Sequence, residues 1–196
     1  MLGLKIWKKM DLMRTDEDII PVSSMFEVPY LQLYVSDWDN KKKKLLELMG
    51  KCNLTADPIL ESSFYDESSK NHNELVQSIF ESELDQVKKS FGCNYCTIKH
   101  SWFQEQRKNM FHSAHDHGAY NTMMSSICYI EYDSSEHFPP EFISPFVDSF
   151  TFSHLHFTPY VDEGTIIFFP ANVLHHTKPS LSDKPRKIIS FNMELG

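Results

Sequence analysis

The sequence has 196 residues, of which 41% are apolar, and its 27 acidic and 19 basic side chains give a formal net charge of −8. Its length and apolar content suffice for one complete core, so a single domain over residues 1–196 is expected; the acidic balance argues against nucleic acid or an anionic membrane as a partner. No apolar run approaches the roughly 20 residues of a membrane span, and the charged N-terminus lacks the apolar centre of a signal peptide, so the sequence predicts a cytoplasmic protein with no membrane partner.

The N-terminal part, residues 1–92, is predicted to contain one strand and about two flanking helices. Residues 28–38 are rich in β-branched and aromatic side chains and predict a strand, and NKKKKLLELMGK after it predicts a short helix. The polar stretch 53–72 predicts a loop. Apolar residues recur at helical spacing over 75–91, which predicts a helix that Gly92 stops and whose apolar face lies against a sheet.

The C-terminal part, residues 93–196, lacks helical periodicity, and short apolar and aromatic runs alternate there with turns. The predicted strands are YCTIKHSWFQEQ, TMMSSICYIEY, FISPFV, SFTFSHLHF, GTIIFFP and KIISFNMEL. Several short strands separated by turns are typical of a sandwich or barrel. The expected fold class is therefore α+β, mainly β, with helices flanking a double-layered antiparallel barrel.

The stretch HSAHDHGAYN packs three histidines and an aspartate into six residues. A non-haem iron(II) centre needs about three protein ligands on one side of the metal, with the other positions open. On an extended strand, residues two apart point the same way, so His115 and His117 form the candidate pair and Asp116 points to the opposite face. The third ligand is expected from a distant strand, where His175 is a candidate and His176, its neighbour, faces away.

Two patterns outside this stretch bear on the metal hypothesis. The pair His154 and His156 has the same spacing, so the pattern alone is weak evidence, and we interpret this pair as lying near the mouth of the site. Arg186, Ser190 and Asn192 share one face of an otherwise apolar strand. An arginine that points into a barrel needs a bound carboxylate or an acidic neighbour, whereas an exposed strand face would need neither.

The motifs HxHG, SSICYIEYD, GTIIFFPANVLHHTKP and RKIISFN together resemble the iron(II)- and 2-oxoglutarate-dependent oxygenases. They are similar to a compact, uncharacterised branch found in bacterial and phage genomes, which has a strand-final Phe-Pro, a histidine four residues before a proline, an arginine and then Ser-Phe-Asn. The resemblance covers residues 94–195 and extends more loosely through the N-terminal helices. It implies a double-stranded β-helix, a jelly-roll or cupin-like barrel, with iron at its open end.

The resemblance also implies roles for individual residues. His115, His117 and His175 fall on the metal-binding positions, with no catalytic residue beyond the metal ligands. The positions that the resemblance assigns to the 2-oxoglutarate site are Arg186, which binds the far carboxylate, Ser190, which assists it, and the weaker candidates Tyr129 and Asn192.

The first metal motif departs from the usual HxD or HxE, because a histidine stands at its last position. Three alternatives stay open: all three ligands are histidines, as in some thiol dioxygenases; His115 and Asp116 bind the metal from a non-extended loop; or His112 replaces one of them. A neutral set of three histidines leaves the iron centre one unit more positive, which favours an anionic cosubstrate.

The function implied by the resemblance is that of a dioxygenase using Fe(II) and 2-oxoglutarate, with ascorbate as reductant. It would hydroxylate a substrate C–H bond and release succinate and CO2. The alternatives are a cupin-type three-histidine dioxygenase without a cosubstrate, and a non-catalytic barrel that binds a metal or small molecule. The substrate is expected to be a protein or peptide side chain or a small molecule, held by a rim formed from residues 53–74 and 133–150.

Overall fold

The computed structural model describes residues 27–56, 59–66, 72–118 and 123–196. The charged N-terminus, parts of the stretch 53–74 and the end of HSAHDHGAYN lie outside these residues. In the described residues the elements are β1 (Leu31–Tyr34), α1 (Trp38–Met49), β2 (Thr55–Ala56), β3 (Glu61–Ser62), α2 (Asn73–Ile79), α3 (Glu81–Phe91), β4 (Cys96–Gln106), β5 (His112–His115), β6 (Met124–Glu131), β7 (Glu141–Val147), β8 (His154–Phe157), β9 (Thr165–Pro170), β10 (His175–Thr177) and β11 (Arg186–Leu195).

The strands form two antiparallel sheets, as the mainly-β prediction required. The larger sheet has the order β1-β9-β6-β11-β4-β3-β2, and the smaller has the order β5-β10-β7-β8. Strand β11 is the last in chain order, yet it lies inside the larger sheet with β4 on one side and β6 on the other. No helix in the described part of the chain has the length and apolar character that crossing a membrane requires.

The two faces of the larger sheet bury different sets of side chains, and β11 shows both. Ile189 and Phe191 point to one face and pack with residues of the three helices, such as Phe80. Ile188 points to the other face, where it packs with Phe142 of the smaller sheet. This alternation follows from the period of two along a strand. It places the polar side chains of β11 between the sheets, opposite the histidine-rich strands.

The helices and short strands differ from the sequence-based predictions in two places. The single helix predicted over 75–91 is wrong: α2 and α3 meet at Phe80, whose φ and ψ are −100° and 16°. The apolar stripe continues through this break because Phe80 itself is fully buried, so periodicity does not reveal it. Gly92 ends α3 in the left-handed conformation, as predicted. The predicted loop 53–72 contains β2 and β3, which extend the larger sheet beside β4.

Candidate metal centre

Three histidine side chains converge where β5 and β10 pair. One ring nitrogen from each of His115, His117 and His175 lies within 4.8 Å of the other two. His115 and His175 are directly opposite each other in the two strands, with ring centroids 4.3 Å apart. The His117 ring lies 5.0 Å from the His115 ring and 5.2 Å from the His175 ring. Three imidazoles gathered on one side of a common point fit a metal with open positions opposite them.

Backbone carbonyl groups orient two of these rings. Nδ1 of His115 donates a hydrogen bond to the carbonyl oxygen of Ser113 at 2.8 Å, and Nδ1 of His175 donates to the carbonyl oxygen of Val173 at 2.9 Å. A hydrogen on Nδ1 leaves Nε2 as the unprotonated nitrogen of each ring. Metal-binding histidines in general have such a partner on their second nitrogen. The pair is therefore preset in one tautomer and one orientation.

His117 reaches the cluster from outside the strand. Strand β5 ends at His115, so strand alternation does not extend to His117 as the sequence suggested. Instead the backbone N–H of His117 donates to the carbonyl oxygen of Ala171 at 2.7 Å, and its ring lies 5.3 Å from that of Trp102. This contact ties the end of the motif to the turn that follows β9.

The two alternative ligands of the motif lie outside the converging set. The exposed Asp116 accepts a hydrogen bond on Oδ1 from the backbone N–H of Gly118 at 3.0 Å. His112 stacks on His115 with ring centroids 3.8 Å apart, but it is not one of the three residues whose nitrogens meet. The geometry thus favours the set of three histidines over either alternative.

Burial keeps the clustered histidines neutral. Burial, with the neighbouring His115 imidazole as the next cause, lowers the pKa of His112, His117 and His175 from 6.5 to about 3 each. Burial also lowers the pKa of His115, against the opposing effect of its hydrogen bond to Ser113. A neutral imidazole is the form that binds a metal, so the rings need not lose protons when a metal arrives at pH 7.

A small cavity between the sheets connects the histidines to Arg186. The guanidinium is 3% exposed, and its Nη1 donates to Oε1 of Gln106 at 3.0 Å. Its Nε and Nη2 have no hydrogen-bond partner among the residues that the structure describes. The central carbon of the guanidinium, Cζ, lies 5.5 Å from the centre of the Tyr129 ring. Burial raises the pKa of the Tyr129 phenol. A buried cation with two nitrogens that lack an acceptor is costly unless an anion pairs with it, and a carboxylate has the matching geometry.

The other predicted cosubstrate residues take different positions around this cavity. Ser190 lines it together with Arg186 and the histidines. Tyr129 contacts the guanidinium from the side. Asn192 faces Ser125 on the neighbouring strand and does not belong to the cavity lining. The structure thus places Ser190 and Tyr129 at the buried arginine, whereas Asn192, which the resemblance assigned to the same site, lies farther along β11.

The second histidine pair lies on the far edge of the smaller sheet. His154 donates through Nδ1 to the carbonyl oxygen of Ser144 at 2.6 Å, and Nδ1 of His156 lies 2.7 Å from Oε1 of Glu141. His176 also contacts Glu141, at 3.1 Å, and so faces away from His175 as predicted. Sequence spacing alone does not separate this pair from the clustered one, because His154 and His156 are two residues apart, as His115 and His117 are.

A wider cleft of about 570 Å³ opens on the outer side of the histidines, and sequence analysis located only part of it. The predicted rim segment 53–74 contributes six of its lining residues, including Phe64 and Tyr65. The other predicted segment, 133–150, lines two pockets that do not contain the clustered histidines, so its prediction as a rim of this site is wrong. Trp102 and Gln104 were missed, although their parity on β4 places them on one face with the cleft.

No family model and no curated protein matches the sequence. Solved structures match its fold: an oxidoreductase of the 2OG-Fe(II) oxygenase family from Burkholderia pseudomallei aligns over 84% of each chain with a TM-score of 0.65 and 12% identity. The non-heme alpha ketoglutarate dependent epimerase SnoN from nogalamycin biosynthesis aligns over 84% of this chain and 76% of its own, with a TM-score of 0.64 and 10% identity. HygX from Streptomyces hygroscopicus, solved with nickel, 2-oxoglutarate and hygromycin B bound, aligns over 85% of this chain and 83% of its own, with a TM-score of 0.60 and 11% identity.

Proposed function

We propose that this chain is an oxygenase that uses iron(II) and 2-oxoglutarate, and that it hydroxylates a C–H bond of its substrate. The observation that carries the proposal is one cavity lined both by the three converging histidines and by Arg186, whose guanidinium has two nitrogens without an acceptor among the described residues. A metal site alone fits many chemistries. A buried cation beside it adds the requirement for an anionic ligand that reaches the metal.

The strand order supports a double-stranded β-helix as the scaffold. Numbered from one to eight, strands β4 to β11 have the order 6-3-8-1 in the larger sheet and 2-7-4-5 in the smaller. Eight strands that alternate between two sheets in this manner make a jelly roll. The neighbours of similar fold include members of the 2OG-Fe(II) oxygenase family, and one of them was solved with 2-oxoglutarate bound. The converging histidines and Arg186 lie between the two sheets of this scaffold.

In the proposed reaction, the residues of the cavity have two separate roles, metal binding and cosubstrate binding. His115, His117 and His175 hold iron(II), and Arg186 pairs with the far carboxylate of 2-oxoglutarate, with Ser190 and Tyr129 beside it.

Bound iron and 2-oxoglutarate supply oxygen activation coupled to decarboxylation of the cosubstrate to succinate and CO2, with ascorbate keeping the metal reduced. The protein orients the anion, keeps the imidazoles neutral and excludes water from the buried end of the cavity.

The all-nitrogen ligand set has an electrostatic consequence. Three neutral imidazoles leave the full charge of a divalent metal uncompensated, and Arg186 adds another positive charge in the same cavity. Because the surrounding sheets exclude water, these charges strengthen one another's attraction for an anion. A dianionic oxoacid would compensate two of these three positive charges, which is the reason we place 2-oxoglutarate there.

Calorimetry on protein loaded with nickel(II) tests this proposal without oxygen chemistry. We expect 2-oxoglutarate to bind with one-to-one stoichiometry and only when the metal is present. Arg186→Met should abolish this binding, whereas Arg107→Met, which changes an arginine 54% exposed and paired with Glu61 and Glu105, should not affect it. A second assay measures succinate formed from 2-oxoglutarate with iron(II) and ascorbate. If 2-oxoglutarate does not bind and no succinate forms, the proposal is overturned.

A three-histidine dioxygenase that needs no cosubstrate is the second candidate, because the converging set contains no carboxylate. Under that function, an iron-loaded sample consumes oxygen with its substrate in the absence of 2-oxoglutarate, and Arg186 acts on the substrate instead. Metal binding without oxygen consumption under either condition would indicate a non-catalytic barrel.

We propose a protein side chain or a small molecule in the cytoplasm as the substrate.

A further inference from the structure

The outer cleft and the inner cavity meet at the histidines and differ in chemistry. Both are lined by Trp102, Gln104 and three of the histidines, but Arg186 lines only the inner one. The inner cavity has a volume of about 10 Å³, so 2-oxoglutarate held by Arg186 and the metal, as the proposed function requires, would extend into the outer cleft of about 570 Å³, and the rest of that cleft is left for the substrate. Its volume lies in the range of pockets that enclose small organic molecules or one side chain of a peptide.

One wall of the cleft is a set of aromatic rings in contact. The Phe64 ring lies 5.1 Å from the Tyr65 ring and 5.1 Å from the Trp102 ring, both at 84°. The Trp102 ring continues the row to His117 at 5.3 Å. Tyr65 is 84% exposed, so its face is open to a ligand. Packing an apolar ligand on Tyr65 would cover a large ring that is otherwise exposed to water.

The side chains that line this cleft carry charge of one sign only. Asp116 is its one charged lining residue in the described part of the chain, with no lysine or arginine among the others. Its Oδ1 accepts the Gly118 N–H, and in the chain it stands between two of the proposed ligands, His115 and His117. Arg107 directly follows β4, but its charge is compensated by ion pairs with Glu61 and Glu105. The proposed metal and Arg186 would add three positive charges at the inner end of the cleft, and bound 2-oxoglutarate would offset two of them. With 2-oxoglutarate bound, we therefore expect the part of the cleft around the exposed Asp116 to favour cations over anions, in keeping with the net charge of −8 on the whole chain.

We propose that the outer cleft binds an organic cation with an aromatic or apolar body. The body packs on Phe64 and Tyr65, and the ammonium or guanidinium group pairs with Asp116. An aromatic wall also attracts a cation through the ring faces, so both features act in the same direction. Anionic substrates, such as phosphorylated ones, are disfavoured because no basic residue of the cleft compensates their charge.

Three probes of similar size test the charge preference: 2-phenylethylamine, 2-phenylethanol and 3-phenylpropionate, titrated into zinc-loaded protein in the presence of excess 2-oxoglutarate, which keeps the carboxylate probe away from the metal and Arg186, and followed by NMR chemical shifts. We expect the amine to bind about tenfold more tightly than the carboxylate, with the alcohol between them. Asp116→Asn keeps an oxygen for the Gly118 N–H and should weaken the amine about fivefold while leaving the alcohol unchanged. Tyr65→Ala should weaken all three probes. Tyr160→Ala, an exposed tyrosine of another pocket, is the matched control and should change none.

Equal binding of the three probes, preference for the carboxylate, or an unchanged amine affinity in Asp116→Asn would each overturn this inference. Zinc content is measured for every variant, and loss of zinc in Asp116→Asn would assign Asp116 to the metal and overturn it as well. The proposed function is tested separately, because it depends on 2-oxoglutarate and Arg186. If the amine binds preferentially but 2-oxoglutarate does not bind, the inference about the outer cleft is supported and the proposed 2-oxoglutarate-dependent function is rejected.

Discussion

Lowering the pH from 7 to 5 should destabilise the metal-free protein through its buried histidines. Burial lowers the folded-state pKa of His112, His117 and His175 from 6.5 to about 3 each. Between these values the unfolded chain binds protons that the folded chain does not, so falling pH favours unfolding. The stabilisation is complete above the unfolded pKa of 6.5 and is lost progressively as the pH falls towards 3.

The linkage relation gives the size of the effect. A histidine whose pKa is 6.5 when unfolded and about 3 when folded loses about 2 kcal/mol of stabilisation between pH 7 and pH 5. Three such groups lose about 6 kcal/mol together, which is comparable with the roughly 5–15 kcal/mol that holds a typical domain folded. Aspartate and glutamate titrate mostly below this window, so they contribute little to the change.

Urea unfolding in the presence of EDTA, followed by circular dichroism at pH 7, 6 and 5, measures this dependence. His117→Gln removes one buried histidine and should reduce the change between pH 7 and pH 5 by about 2 kcal/mol. Ser113→Ala alters a non-titrating residue of the same strand and should keep the dependence of the unchanged protein. A free energy of unfolding that stays constant over this range would refute the argument that the histidines are neutral because they are buried.

Three further substitutions test the site and its scaffold. His117→Ala should lower zinc affinity by about 100-fold in competition with a chelator, whereas His117→Asp keeps three ligands and should retain most of it; equal losses would remove His117 from the metal site. Arg186→Met should change the free energy of unfolding by no more than about 1 kcal/mol, because the lost contacts are offset by relief of a buried charge; a loss of several kcal/mol would contradict this. Glu83→Ala leaves Lys41, 2.7 Å away and 13% exposed, unpaired and should cost about 3 kcal/mol in urea unfolding; a cost near zero would show that the pair is solvated.

Strands with a strong apolar period were predictable from the sequence. The runs that became β4, β6, β9 and β11 have buried side chains on one or both faces, and their composition alone indicated strands. The shared parity of Arg186 and Ser190 likewise placed both side chains between the sheets. These predictions succeed because a two-residue period is a local property of the chain.

The strands that carry the candidate metal site were not predictable in the same way. Strands β5 and β10 have four and three residues, are rich in histidine, and lack an apolar period. Their pairing, which brings His115 opposite His175, is a long-range contact that no local pattern contains. The sequence predicted the side of the outer cleft formed by segment 53–74, but the opposite side was missed for the same reason, since Trp102 meets Phe64 through folding and not through spacing.

The place of β11 in the larger sheet affects how the chain is made. A ribosome delivers residues 186–195 after β4 and β6, and until then these two strands of eleven and eight residues have no neighbour between them. Unpaired apolar strands of this length join other chains readily, so the nascent protein is exposed to aggregation until its synthesis passes β11. Because the same segment carries Arg186, synthesis that stops before residue 186 yields an aggregating chain and not a partly active one.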